Sequence, residues 1–298
     1  MKGFKVTIVN CRLFKQSMMQ NNSFGKNIIR GLKERINKWT HNPFKEVNLN
    51  AVKLVYYKHL NPGTIRSHKL FGKTVYFSSA TEFVAGLKEI FIDKIYSQRL
   101  ADHPYIIDCG ANIGLSVIYM KKQYPDAEIV AFEPDNQNFE ILSKNVEAGG
   151  YTNIVLRKEA VWIENTMIHF SSSGTTDSHI SPQTAGSVEV AAIRLKDLMT
   201  RKIDFLKIDI EGAEFQVIKD IAEKLDMVDN MFVEYHGNFE ENNQFIDMLK
   251  IISDRGFHFY FREAISVFKQ PFLQPLIKPL FDIQLNIFCF RLNEKRPT

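Results

Sequence analysis

The chain has 298 residues, 45% of them apolar and 24% charged, which suits one large soluble α/β domain with an extension. No run approaches the roughly 18 apolar residues of a membrane span, and the opening "MKGFKVTIVNCRLFK", broken by Lys5, Asn10 and Arg12, lacks a signal-peptide core. The net charge of +4 is uneven, with nine Lys/Arg and one acid (Glu34) in residues 1–40, so the arm is +8 and the rest −4. A basic arm suits an anionic membrane surface, an acidic glycan or nucleic acid. A solvated helical face is the simpler account, with peripheral contact at the inner membrane face second. Cys11, Cys109 and Cys289 are odd in number and far apart, which excludes a disulfide framework or zinc knuckle and fits a reducing cytoplasm.

In chain order, "GKNIIRGLKERINKW" spaces Ile28, Ile29, Leu32 and Ile36 as a helix with a basic opposite face. "HKLFGKTVYFSS" predicts a short hairpin. "TEFVAGLKEIFIDKIY" predicts an amphipathic helix over 81–96 with Phe83, Leu87, Ile90, Phe91 and Ile95 on one face and Thr81 as its cap. From residue 105, strand and helix alternate: "YIIDC", "LSVIYMKKQY", "EIVAFE", "NFEILSKNVEAGG" and "NIVLR". The rhythm breaks between 166 and 193, where "TMIHF" and "SVEVAAIRL" read as extended segments around a polar loop, Ser171–Ser187, suited to a lid or acceptor recognition. "DFLKIDI", "GAEFQVIKDIAEKL", "NMFVEYH" and "NQFIDMLKIISDRG" resume the alternation. "FHFYF" and "IQLNIFCFRL" close the chain with only "QPFLQPLIKPLFD" between them, so they should pair antiparallel. Its "FLQPLIKPLF" core is expected to pack on the N-terminal helix, ahead of a dimer contact or a membrane contact. These elements predict an α/β fold with a doubly wound, mostly parallel seven-stranded sheet, an antiparallel terminal hairpin and a mainly helical basic extension. The expected division is 1–80 for the extension and 81–298 for the catalytic domain.

Ligands of such sheets bind beyond the carboxyl ends of the strands. "IIDCGANIGLSVIYM" supplies the first such end, with Asp108, Gly110, Asn112 and Gly114. Glu133 ends the second strand, 25 residues after Asp108, where an acid accepts both hydroxyls of a ribose. That spacing suits NAD equally. The turn, however, is D-x-G-x-N-x-G rather than the G-x-G-x-x-G pyrophosphate cradle, and with the terminal hairpin this favours S-adenosylmethionine.

Taken in order, "IIDCGANIGLSVIYM", "IVAFEPDNQNFEILSKNV", "EAVW" and "DFLKIDIEGAEFQVIKD" resemble the FkbM family of SAM-dependent, class I methyltransferases over about two thirds of the chain. The resemblance implies that Asp108, Gly110, Asn112 and Gly114 line the methionine moiety. It further implies that Glu133 holds the ribose, Pro134 and Glu159 lie at the adenine, and Asp209 lies near the amino-acid end and the acceptor. It suggests sugar hydroxyls of glycans, glycolipids or specialised metabolites as acceptors.

On the acceptor side, Lys207, Asp209 and Glu211 alternate along one strand, and Glu234 and His236 share a face of the next, with Tyr235 opposite. Such charges are not cheaply buried unless paired or functional. Lys207, Glu211 and, from the polar loop, His179 are candidate substrate contacts, while Glu214 reads as a first-turn helix acid favoured by the dipole. Two chemistries compete. In one, Asp209 and Glu234, with His236, hold a divalent ion such as Mg²⁺. In the other, His236, Asp209 or Glu234 is the general base for a hydroxyl acceptor. The absence of an N/D-P-P-Y loop favours oxygen over nitrogen. The rivals are an NAD-dependent oxidoreductase and a noncatalytic scaffold, while a nucleic-acid substrate is disfavoured because no basic, aromatic-interleaved patch adjoins the site.

Overall fold

The structure, a computed structural model, describes residues 42–171, 179–180, 187–273 and 279–292. The basic helix expected around Ile28–Ile36 and most of the Ser171–Ser187 loop lie outside them. The compact division falls between Lys45 and Glu46. Residues 46–80 belong to the unit that carries the sheet.

That unit begins with α1 (Ala51–Lys58), capped by Asn50, whose side chain accepts from Lys53 N. The expected hairpin follows as β1 (Arg66–Leu70) and β2 (Lys73–Phe77), paired antiparallel. Helix α2 (Ala80–Gly86) starts at Ser79, whose hydroxyl accepts from Glu82 N, so Ser79 and not Thr81 is the cap, with the acid three residues on. From Leu87 to Ile92 this helix widens into a π-helical turn. Phe83, Leu87, Ile90, Phe91 and Ile95 are nonetheless all buried, as the periodicity predicts.

The seven-stranded sheet is built from β3 (Tyr105–Cys109), β4 (Glu128–Phe132), β5 (Ile154–Arg157), β10 (Ile203–Ile208), β11 (Val228–Gly237), β12 (His258–Glu263) and β13 (Ile283–Phe290). Its order is β12-β13-β11-β10-β3-β4-β5. Only β13 runs against its neighbours, lying between β11 and β12. The central strands β3 and β10 are nearly continuous apolar runs, as buried parallel strands must be. Helices α3 (Leu115–Gln123) and α4 (Asn136–Gly149) follow β3 and β4. Helix α4 is capped by Asp135 and ends at Gly150 in the left-handed region. Between β5 and β10 lies a second sheet of β6 (Ala160–Trp162), β7 (Thr166–Ser171), β8 (His179–Ile180) and β9 (Ser187–Arg194), followed by the single turn α5 (Leu195–Leu198). This is where the helical rhythm of the sequence breaks. Helices α6 (Glu214–Asp220) and α7 (Asn242–Asp254) complete the set.

One sheet face packs Ile107, Leu206, Met231 and Val233 against Val217 and Ile218 of α6 and Met248 and Ile252 of α7. On the other, Tyr96 meets Phe232 edge-on at 5.0 Å between centroids and joins Tyr119 and Phe91. No helix among the described residues is long and apolar enough to cross a membrane.

Asn145 of α4 ties the N-terminal hairpin to this body. Its buried amide accepts from Tyr76 N at 2.6 Å and donates to Tyr76 O at 3.0 Å and Ile113 O at 2.8 Å. Asn145→Ala leaves those backbone groups unpaired and should cost about 2–4 kcal/mol, measured as a shift in the denaturant midpoint.

Candidate active site

Strand β3 ends in a turn whose conformations dictate its residues. Gly110 has φ 87°, Asn112 φ 47° and Gly114 φ 87°. A Cβ on Gly110 would meet Asp209 O at 1.8 Å, and one on Gly114 would meet Leu142 Cδ1 at 2.6 Å, so both glycines are needed for conformation and for close approach. Asn112 tolerates the left-handed region, and its Oδ1 accepts from Ile113 N. Glu133, beyond β4, fastens the turn from behind: Oε2 accepts from Asn112 N at 2.8 Å and Oε1 from Asp135 N at 2.9 Å. Burial pushes its carboxyl up to about 8 against those two hydrogen bonds.

Beneath the turn, the buried ammonium of Lys207 donates to Gly110 O at 2.7 Å and lies 3.0 Å from Asp209 Oδ2 and 3.3 Å from Asp108 Oδ1. Burial alone would lower its pKa, but Asp209 and Asp108 outweigh that and hold it well above the usual lysine value. Asp108 also accepts from Ser116 Oγ at 2.5 Å.

Past the ends of β10 and β11 lies a proton-rich cluster. His236 Nδ1 is 3.3 Å from Glu214 Oε1, and its Nε2 is 3.4 Å from Glu211 and 3.7 Å from Glu234. Burial pulls the imidazole down, yet Glu214, Glu211 and Glu234 raise it to about 10. Burial raises Glu234 to about 8, with Asp209 adding to the shift, and Glu211 to about 9. Glu89, from the π-helical turn, is also raised by burial and accepts from Asn286 Nδ2 at 3.0 Å. Oxygens of Asp209 and Glu234 and a nitrogen of His236 lie within 4.8 Å of one another, so a divalent ion could find three donors there.

Gly110, Asn112, Lys207, Asp209, Glu211, Glu234 and His236 border one cavity of about 1060 Å³. Glu133, Pro134 and Glu159 are not among its lining residues, because Glu133 is turned toward the backbone and Glu159 pairs bidentately with Arg157. Asp108 and Gly114 support the turn from below. Lys207, which borders the cavity, is engaged as a brace by Gly110 O, Asp209 and Asp108. The backbone of His179 pairs with Ser171 in the second sheet, and its side chain lies outside the described residues.

One local expectation needs correction. Strand β10 stops at Ile208, so Glu211 is not on it but in the following turn at φ 54°. Glu214 stands in the first turn of α6, as expected. It is fully buried, accepts from Ile210 N and Gly212 N, and holds His236. Within "FLQPLIKPLF", residues 274–278 lie outside the described set. Of the rest, Phe272 and Leu273 are exposed, while Phe281 is buried against His236 at 5.1 Å. Pro279, Leu280 and Phe281 border the cavity, and the packing expected on the N-terminal helix concerns residues outside the described set. Glu89 and Asn286 escape sequence reasoning, because a π-helical turn has no periodic signature and an asparagine in an apolar strand reads as an edge residue.

A family model for the methyltransferase FkbM domain matches residues 108–259. The chain belongs to the FkbM methyltransferase family, and it is a methyltransferase. Among curated relatives, it is 26% identical to Methyltransferase 1 of Beauveria bassiana (strain ARSEF 2860) over 64% of this chain and 85% of that one. It is 25% identical to the hexuronic acid methyltransferase AglP of Haloferax volcanii over 65% and 84% respectively. The crystal structure of a methyltransferase FkbM from Methylobacillus flagellatus KT aligns at 18% identity and TM-score 0.44, covering 64% of this chain and 44% of that one.

The burial of Glu133 has a measurable consequence. A carboxyl held near pKa 8 contributes stability that is full below the unfolded value of about 4.3 and lost as pH rises through 8. Glu133→Gln should therefore flatten the alkaline fall in unfolding free energy by up to about 1.4 kcal/mol per pH unit, read by urea denaturation between pH 5 and 9. An unchanged slope would contradict the buried-acid assignment.

Proposed function

We propose that the protein is an S-adenosylmethionine-dependent O-methyltransferase acting on a hydroxyl of a sugar, glycan, glycolipid or specialised metabolite. The observation that carries this reading is a carboxyl raised into the neutral range, Glu234, beside the glycine turn and in one cavity with it. The relative that acts on a hexuronic acid supports the sugar class. The residues fit the cofactor: Gly110 and Asn112 bare backbone to the cavity, Asp209 sits beside them, and an acid ends the second strand. Glu133 would act on the cofactor through the turn, whose Asn112 N it holds, while Pro134 and Glu159 stay outside the cavity lining. S-adenosylmethionine supplies a methyl group on a good leaving group, so orientation and removal of one proton are the tasks left to the chain.

Glu234 takes the hydroxyl proton. His236, expected as the base, is instead the cation that keeps Glu234 ionisable, because three carboxylates hold its own proton to about pH 10. Glu214 fixes the ring through Nδ1 and Glu211 faces Nε2.

Glu234→Gln should lower kcat by about 10²–10⁴-fold while leaving S-adenosylhomocysteine affinity unchanged. His236→Gln removes a positive charge that lowers the Glu234 pKa, so the rising limb of the pH–rate profile should move to higher pH. Calorimetry with S-adenosylhomocysteine tests the cofactor: Glu133→Ala should weaken it about tenfold or more, and stabilisation by NAD instead would sink the reading. A divalent ion at Asp209 and Glu234 is the second reading, favoured by the three donors within 4.8 Å. Activity abolished by EDTA and restored by Mg²⁺ would select it.

A further inference from the structure

One row of side chains crosses the carboxyl edge of the sheet. Asp209 N donates to Cys109 O, which sets Asp209 beside Gly110, and Glu234 follows on the neighbouring strand. Glu234 is directly opposite Asn286 on β13, and Asn286 is opposite Arg262 on β12. All of these line the cavity. The row therefore runs from the glycine turn, past the proposed base, to Asn286.

Asn286 is 2% exposed, yet its Oδ1 has no hydrogen-bond partner among the described residues. An unsatisfied buried acceptor is costly unless something supplies a proton to it. The amide is held in this sense by Nδ2, which donates to Glu89 Oε1 at 3.0 Å. Glu89 reaches this point from the π-helical turn Leu87–Ile92, a local widening of the kind found at functional sites. Opposed residues on antiparallel strands stand side by side, with Cβ atoms about 4.5–5.5 Å apart. Glu234 and Asn286 thus offer two oxygen acceptors next to each other, which suits two hydroxyls on adjacent carbons.

We propose that Asn286 Oδ1, oriented by Glu89, receives the hydroxyl neighbouring the one that reacts at Glu234, so that the acceptor is a vicinal diol of the sugar type and not an isolated alcohol. Asn286 is a specificity-determining residue and Glu89 a positioning residue. The assignment rests on the hydroxyl-methylation reading above.

The test uses the full chain, S-adenosylmethionine and methyl glycosides of common hexoses and hexuronic acids. Each is paired with the deoxy analogue lacking the hydroxyl next to the methylated one, and cyclohexanol serves as the isolated alcohol. The wild-type protein should methylate a glycoside, and the matching deoxy analogue should show KM raised about tenfold or more. Asn286→Leu should erase that discrimination without changing S-adenosylhomocysteine affinity, and Asn286→Asp, which keeps an acceptor oxygen, should restore it. Should Asn286→Leu not fold, Glu89→Leu reads the same question, since the freed amide should also lose the discrimination. The proposal is overturned if either foldable variant discriminates as the wild type does. It is equally overturned if cyclohexanol serves as well as the glycoside, or if no glycoside is methylated while S-adenosylhomocysteine binds. Failure of the wild-type protein to bind S-adenosylhomocysteine would instead overturn the cofactor reading beneath it.

Discussion

The site depends on one buried cation. Lys207 sits in a parallel strand with its ammonium between Asp108, Asp209 and the carbonyl of Gly110. An unpaired ammonium there would be prohibitively desolvated, and two unpaired carboxylates equally so. Together they fix where β3 ends, where β10 ends and how the glycine turn lies between them. The same bond to Gly110 O holds the turn where a Cβ on Gly110 would collide with Asp209. The glycine turn and the acids at the ends of β10 and β11 are thus positioned by one interaction, so their relative placement follows from strand register and not from loop flexibility.

Around this anchor, charge is distributed in two ways. At Lys207 a cation is held by two carboxylates that stay within 3.3 Å of it. At His236 a cation is surrounded by Glu214, Glu211 and Glu234, whose environments differ sharply: Glu214 is spent on backbone N–H groups, while Glu234 faces the cavity. Of these acids, Glu214 orients the ring and Glu234 borders the cavity. The left-handed turn at Glu211 and Gly212 is the local strain that lets the chain pass between them.

Much of this was legible in the residues. "IIDCGANIGLSVIYM" predicts strand, turn and helix, and the seven strands appear where apolar runs and alternation put them. The pairing of the last two strands follows from the missing crossover helix. The gathering of Asp209, Glu234 and His236 follows from strand ends being adjacent in this topology. What stayed hidden depends on side-chain direction or on irregular backbone. Glu133 has the right spacing for a ribose, but nothing in the sequence says that its oxygens turn back to Asn112 and Asp135. Glu214 looks like any acid in a first helical turn until the depth of α6 is known. Glu89 belongs to a helix face that periodicity assigns to solvent, and a π-helical turn re-aims it.

The sheet edge also explains why Asn286 occurs where an apolar residue would be expected. Strand β13 is otherwise "IQLNIFCF", and both Ile287 and Cys289 enter the core. A leucine at 286 would leave Glu89 without this donor, whereas asparagine supplies the donor and leaves its own buried oxygen unmatched. Its nitrogen is matched only because the π-helical turn brings Glu89 to it. The widened turn and the asparagine, about two hundred residues apart, meet in a single hydrogen bond, which leaves one buried amide oxygen unmatched on a residue of the cavity wall; under the proposal above, that oxygen would recognise the acceptor one strand beyond the base.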